Sequence, residues 1–557
     1  DADGRAILAD GAGNVRVETV GAAGSLTANA DVESEGGHVS LLADGSIEFT
    51  GEADTEASGT GTVELLARGG SIGLSPTSDQ SAGSGDIRMW AGTDITLGGT
   101  ASTGGNVSVT ANAGWIRDGD VDGSVDIEAE ALRLDAAVGI GRLGADVNPV
   151  ETTVATISGR AGAEGINVRE SDGLAVGDAT ATISRVGADA GTSGVTDAGR
   201  SDLVTTDGSA GSMVLRAGGD MMLNDGTAPD DGRAVLADGT GNIRIEAIGA
   251  GHSVVANADV ESEGGHLTMR AGGSLQLAGG ADVKTLNSGT IDLEATGGTV
   301  TLSTTSDQTS GSGDIRLLAG ENIDLGGAVT TGGNVSATAE SGWIRDADLD
   351  GSVDIEADGL RLDAMVGIGQ VGADVNPIET TVAALSGRAG AEGINVLESD
   401  GLAVGETGVT VNRVAGDAGV SDLTDAGQSD LVTRDGTGGS IVLRATDGDA
   451  TLADGTAPDD QGAILADGSG NILVEAAGSA GDVRANADVA SGSGNITILA
   501  AGNVSFANGA DISSSGDGTI DLEATTGAID LDVTSDQATG SGDIRMWAGT
   551  DITLGGT

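Results

Sequence analysis

Short runs of alternating apolar residues recur at a fixed interval between Gly13 and Leu97, and that interval limits the folds open to the chain. Val15/Val17, Val39/Leu41, Val63/Leu65 and Ile87/Met89 each begin 24 residues after the run before, with shorter runs Ile47/Phe49, Ile72/Leu74 and Ile95/Leu97 between them. Gly, Asn, Asp or Ser introduces each run, and alternation over three to five residues reads as a short strand. A strand-built period of 20 to 25 residues is the signature of a parallel β-helix, in which every coil stacks on the one before. The register predicts Val15, Val39, Val63 and Ile87, with Val17, Leu41, Leu65 and Met89, as inward ladders, and Arg16 and Glu18 as outward residues.

A longer repeat encloses the short one. Gly4-Arg5-Ala6-Ile7-Leu8-Ala9-Asp10-Gly11 returns 228 residues later as Gly232-Arg233-Ala234-Val235-Leu236-Ala237-Asp238-Gly239, and a third time, altered at its opening, as Gly462 to Gly468. Gly540 to Thr557 repeats Gly83 to Thr100 without a change. The chain therefore divides into repeat unit 1 (1-228), repeat unit 2 (229-457) and a partial unit 3 (458-557), with about ten coils per 228-residue unit. Coil starts fall near 15, 39, 63, 87, 107, 125, 146, 166, 190 and 214. The spacing loosens between Ala136 and Gly208, where polar stretches are expected to loop out. Successive units should superpose after a translation of roughly 48 Å, from ten coils at about 4.8 Å. No signal peptide opens the chain at Asp1, and it starts and stops inside its own repeat, which reads as a section of a longer polypeptide.

Composition agrees with a solenoid. Only 38% of residues are hydrophobic, and four Trp, two Phe and no Tyr are too few aromatics for large conventional cores. The 99 Gly are expected at corners, where unusual backbone angles are needed. A chain without fold would not keep Val, Ile and Leu alternating at a fixed pitch. Cysteine is absent, so there is neither a disulfide nor a thiolate metal site, and no run of about 18 apolar residues spans a membrane.

Several segments carry a resemblance. Gly105-Asn106-Val107-Ser108-Val109, Gly114-Trp115-Ile116-Arg117-Asp118, Asn148 to Ile157 and Gly165 to Leu174 resemble the repeats of giant bacterial surface proteins of the filamentous-haemagglutinin-like type. The likeness runs over essentially the whole chain. It implies an extracellular, bacterial cell-surface location, a right-handed β-helical stalk, and a role in adhesion, aggregation or cell coats. The family's N-terminal secretion domain and a recognisable binding head are not part of this sequence.

Charge adds a second constraint. The chain has 25 Lys and Arg against 86 Asp and Glu, a formal net charge of −61, and Lys284 is the only lysine. About 24 coils at about 4.8 Å carry about one net charge per 1.9 Å, close to the roughly 1.7 Å per charge of duplex DNA. Such a surface condenses cations and repels nucleic acid and anionic membranes. Solubility in a saline habitat explains the same charge without any specific ligand.

One constellation stands out from this acidity. Asp118-Gly119-Asp120-Val121-Asp122-Gly123-Ser124-Val125-Asp126 and its counterpart Asp346-Ala347-Asp348-Leu349-Asp350-Gly351-Ser352-Val353-Asp354 place carboxylates at alternate positions before a Gly. D-x-D-x-D-G can wrap three carboxylates round calcium, which takes six to eight oxygens, while the Gly allows the sharp turn. The candidate ligands are Asp118, Asp120, Asp122, Ser124 and Asp126, and Asp346, Asp348, Asp350, Ser352 and Asp354. Ala129 and Ala357 stand where the motif expects a bidentate Glu, so a neighbouring coil or partner chain must supply it. The competing reading is an acidic, solvated turn, which Asp-Gly pairs favour. Pro229-Asp230-Asp231 and Pro458-Asp459-Asp460 lack the alternating spacing and read as loops.

The remaining candidates are weaker. Trp90/Trp547 and Trp115/Trp343 share repeat positions and are expected to pack at the core or corners. His38 and His266 have no second His at ligand spacing and His252 stands alone, so zinc is not expected. Asn-x-Ser/Thr at Asn106, Asn334, Asn495 and Asn503 lies in strand patterns, where the hydroxyl is the outward residue. No carboxylate pair is singled out for glycoside cleavage, no nucleophile elbow is present, and whole-unit repetition argues against a single active site. β-Helical polysaccharide-active enzymes are the remote alternative. The expected protein is not an enzyme. It is a cation-screened adhesin stalk or a calcium-dependent subunit of a sheath, coat or filament, partnered by other copies of itself or by cell-surface components.

Overall fold

The computed structural model describes residues 4–21, 23–206, 208, 210–434, 436 and 438–555. They form short parallel strands wound into a β-solenoid of about 22 turns. The one helix among the described residues is the 3-10 turn Gly144–Asp146. The chain forms two compact units, Asp1–Gly272 with Val414–Ser421, and Gly273–Arg413 with Asp422–Thr557.

In the first unit each early turn contributes three strands. Val15 pairs with Val39, Val39 with Val63, Val63 with Ile87, and Ile87 with Val107, all in parallel register. Val39, Val63, Ile87, Leu41, Leu65 and Met89 are completely buried, and Val15 nearly so, as the alternation predicts. The shorter partners Ile47, Ile72 and Ile95 form a second buried ladder. Each inward side chain thus covers its counterpart one turn away, the arrangement by which a narrow core of aliphatic residues excludes water.

Corner glycines serve close approach more than unusual backbone angles. Gly37, Gly61 and Gly85 have no left-handed φ, yet a Cβ on Gly37 would lie 2.2 Å from Gly13 O, on Gly61 2.2 Å from Gly37 O, and on Gly85 2.0 Å from Gly61 O. The corner is a column of glycines in backbone contact. Gly61→Ala forces neighbouring turns apart and should cost about 1–3 kcal/mol. A chemical-denaturation midpoint unchanged by this substitution would show that the corner has slack.

The loosened region holds two departures from the expectation. First, Ala179–Val186 and Thr192–Arg200 form an antiparallel hairpin rather than loops or a coil, and the coil start placed near 190 falls on the turn at its tip. Second, the strands lengthen and the ladders are recut. Ile127–Ala136 and Val150–Ala161 each extend over two ladders, and Val150–Ala161 then passes to three different strands. Consequently Ile243–Ala247, the counterpart of Val15–Thr19, stacks on Met213–Ala217 and, through Gly165–Glu170 and Gly139–Ile140, on the ladder that Leu26–Ala28 began.

The hairpin runs back along the outside of the earlier turns. Its contacts step through six of them: Asn14 Nδ2 donates to Ala190 O (3.1 Å), Val186 N to Ser40 Oγ (3.0 Å), Ser184 N to Thr62 Oγ1 (3.0 Å), Thr182 N to Asp86 Oδ2 (2.6 Å), Asn106 Nδ2 to Thr180 O (2.9 Å) and Arg133 Nε to Ala198 O (3.0 Å). Beneath it Arg88 Nη1 meets Glu64 (3.2 Å), Arg88 Nε meets Asp197 (3.0 Å), Arg185 also pairs with Glu64, and Ser108 Oγ donates to Asp197 (2.7 Å). Glu64 and Ser108 are fully buried. The outward side of this ladder is therefore covered, not solvated as the strand pattern implies, and Asn106-x-Ser108 is part of that covered face.

In the second unit the arms Thr407–Arg413 and Asp422–Gln428 repeat the arrangement. Arg413 Nε pairs with Asp292 (2.7 Å), Arg316 with Asp292 (3.0 Å) and Asp425 (3.1 Å), and Thr410 N donates to Asp314 Oδ2 (2.8 Å).

Candidate metal centre

The acidic turn is built by its own aspartates. Asp118 Oδ1 accepts the Asp120 N–H at 2.9 Å, and Asp118 Oδ2 the Val121 N–H at 3.1 Å. Asp346 does the same for Asp348 (2.9 Å) and Leu349 (3.2 Å). Val121 and Leu349 sit at φ 61° and 60°, exposed and in the left-handed region, and Gly123 and Gly351 follow at φ 77° and 76°. A β-branched or bulky residue in that region is strained.

The turn divides the predicted ligands into two sets. Asp346, Asp348 and Asp354 each bring a carboxylate oxygen within 4.8 Å of the others, and Asp346 and Asp354 are buried. Asp350 and Ser352 are exposed and satisfied by each other, Ser352 N donating to Asp350 Oδ1 at 2.7 Å. Asp122 and Ser124 form the same exposed pair in the first repeat, also at 2.7 Å. The two glycines swing these residues outward. Five ligands in sequence thus become three in space.

The acid missing from the motif has a counterpart one turn on. Glu151 N donates to Asp126 Oδ2 and Glu379 N to Asp354 Oδ2, both at 3.0 Å. Glu151 and Glu379 are buried, and Oε2 of each has no hydrogen-bond partner. Burial first, and then the Asp118 and Asp120 charges, push the Glu151 carboxyl up to about 7, and Glu379 follows for the same reasons. Burial likewise raises Asp126 and Asp354 to about 9, and Asp120 and Asp348 to about 6. A group of carboxyls held so far from water needs protons or a cation to offset its charge. Its donors are oxygens only, the set that suits calcium or magnesium.

The sequence reading missed two further trios, Asp202/Asp225/Asp231 and Asp430/Asp454/Asp460, each with carboxylate oxygens within 4.8 Å. Asp231 and Asp460 belong to the turns read only as loops. The buried members, Asp202 and Asp430, lie far upstream of the loop acids, so no motif spacing marks the groups.

Trp547 is exposed rather than packed, whereas Trp115, Trp343 and His38 serve the fold. A Cβ on Gly139 would lie 2.7 Å from the Trp115 ring and one on Gly367 2.6 Å from that of Trp343, so both indoles cover corner glycines. Arg117 also lies 5.3 Å from the Trp115 ring centre. His38 Nδ1 accepts the Thr62 N–H at 3.1 Å, and burial lowers its pKa.

Glu170 and Glu398 allow a test of the buried acids away from the turn. Both are buried, accept the Thr152 and Thr380 hydroxyls at 2.7 and 2.6 Å, and are raised by burial to about 7. An acid raised on folding holds its proton in the native state after the unfolded chain has lost it. Its contribution to stability therefore falls from about pH 4 to about pH 7 and is level above. Glu170→Gln with Glu398→Gln removes this slope, and the stability of the variant relative to the parent should rise by about 1–3 kcal/mol per site between pH 4 and pH 8. Parallel unfolding profiles across that range would show that neither carboxyl titrates there.

Comparison with known protein families, curated proteins and solved structures finds no match to this chain. No helix among the described residues is long and apolar enough to cross a membrane.

Proposed function

We propose that the chain is a non-catalytic stalk section of a secreted bacterial surface protein, filamentous-haemagglutinin-like in its repeats and composed of units 1-228, 229-457 and 458-557. The observation that carries this reading is the hairpin-covered solenoid built twice from near-identical sequence. Arg88, Glu64, Arg185 and Asp197 recur as Arg316, Asp292, Arg413 and Asp425 with the same pairings. Duplication that preserves buried pairs lengthens a scaffold, whereas an active site gains nothing from being copied along it. The formal charge of −61 keeps such a scaffold soluble and surrounded by cations. Immunogold labelling of intact cells with antibody to this chain should decorate surface fibres, and labelling confined to permeabilised cells would sink the proposal.

The acidic groups favour a second reading, calcium-dependent assembly of a sheath, coat or filament. Asp346, Asp348 and Asp354, with Glu379 from the neighbouring turn, are its centre. Calcium that binds only the folded chain stabilises it by about 2.7 kcal/mol at a hundredfold excess over the dissociation constant. Magnesium, with a smaller and stricter octahedral shell, should do less at equal ionic strength. Equal stabilisation by both ions, or an undiminished calcium response after Asp120→Ala with Asp348→Ala, leaves an acidic turn that is only solvated. Electron microscopy of native material with and without chelator separates stalk from assembly.

A further inference from the structure

Asp202 and Asp430 are acids for which the surface role has no use. Asp202 is 1% exposed and Asp430 0%. Asp202 Oδ1 has no hydrogen-bond partner, and neither oxygen of Asp430 has one. Each faces two more carboxylates from a loop that closes over it: Asp225 and Asp231 in the first unit, Asp454 and Asp460 in the second. The loops are fixed independently. Asp225 Oδ2 accepts the Gly232 N–H at 2.8 Å and Asp454 Oδ2 the Gln461 N–H at 2.8 Å, while Asp225 Oδ1 and Asp454 Oδ1 remain buried and unpartnered. Ser201 Oγ donates to Pro229 O (2.9 Å) and Ser429 Oγ to Pro458 O (3.2 Å), which pins each loop to the strand corner that carries the buried aspartate.

Three carboxylates converge, and two present oxygens shut away from both water and protein donors. That arrangement is among the costliest a fold can hold unless something positive occupies it. We infer that each trio, Asp202/Asp225/Asp231 and Asp430/Asp454/Asp460, is a binding site for a hard divalent cation that fastens the loop to the solenoid. The donors are carboxylate oxygens without sulfur or imidazole, which selects calcium or magnesium over zinc or copper. Loop carbonyls and water complete the shell. A single shared proton is the rival occupant: burial, with the facing aspartate charges adding to it, raises Asp202 to about 6 and Asp430 to about 7, and Arg200 and Arg388 offset only part of this.

The inference does not depend on where the protein resides or on the Asp118 and Asp346 turns. The whole chain, stripped with chelator and dialysed at pH 7.5 against calcium alone or magnesium alone, is assayed for bound metal and for protease cleavage at 224–232 and 453–461. Asp430→Asn should lose one equivalent of bound ion, and Asp202→Asn with Asp430→Asn one per trio. Ion-dependent protection of the corresponding loop should disappear with it. Asp120→Ala with Asp348→Ala should leave that protection intact, which separates failure here from failure of the calcium turn. Unchanged stoichiometry in the double variant overturns the inference. So does a double variant that is more stable without metal while wild type binds no ion at the loops, because the trio then carries a proton.

Discussion

Arg88→Ala is expected to destabilise the first unit by about 3–5 kcal/mol, because it removes a charge partner from Glu64 beneath the hairpin and from Asp197 on the hairpin itself. Arg185 still faces Glu64, which places the loss toward the lower end. Amide exchange should rise first along Ala179–Val186 and Thr192–Arg200, since those strands hold few apolar contacts beyond Ala179, Ala181, Ile183 and Val186. Replacing the Arg88 and Glu64 pair together with apolar residues of similar volume should recover much of the loss, as buried pairs add little net stability over a packed hydrophobe. A cost for Arg88→Ala below about 1 kcal/mol is the value of an exposed pair and would show that the hairpin is not seated on the turns.

Leu41→Ala has the next largest expected effect. Leu41 is completely buried between Val17 and Leu65, and its truncation should cost about 2.7–5 kcal/mol. In a solenoid with only neighbour contacts, the resulting opening would stay within adjacent turns. Here Ser40 accepts the Val186 N–H, so the opening should also expose the hairpin end at 183–193. Exchange protection lost at Val39–Ala43 and at the hairpin end together is the predicted pattern. Loss at Val39–Ala43 alone would mean that the two are energetically independent.

The ladders were legible because a period of 24 and an alternation of two leave one inward register open to Val39, Val63 and Ile87. Glycine at Gly37, Gly61 and Gly85 was legible as a corner, but for a different reason from backbone freedom, since stacking distance is not visible in one dimension. The hairpin left a trace in the sequence: Ala179, Ala181 and Ile183 alternate as a strand does, and Glu64 and Arg88 carry opposite charge one coil apart. Its bed lies up to 176 residues away, which no local pattern encodes. At the acidic turn, alternate spacing identified Asp346, Asp348 and Asp354, while the left-handed Leu349 and Gly351 turned Asp350 and Ser352 away. The Asp202 trio could not be read from spacing at all. Its members meet only because a loop folds back over a strand corner.

The hairpin of the first unit also determines how that unit responds to force. A bare stack of coils pulled along its axis opens at one interface at a time, so the weakest interface sets the strength of the whole. Ala179–Arg200 grips Asn14, Ser40, Thr62, Asp86, Asn106 and Arg133 on successive turns. Tension must therefore shear these bonds simultaneously before any gap between the turns can widen. Each is worth only about 0.5–1.5 kcal/mol, but bonds loaded in parallel share the pull where bonds loaded in series fail singly. The brace must give way before the coils beneath it can part singly.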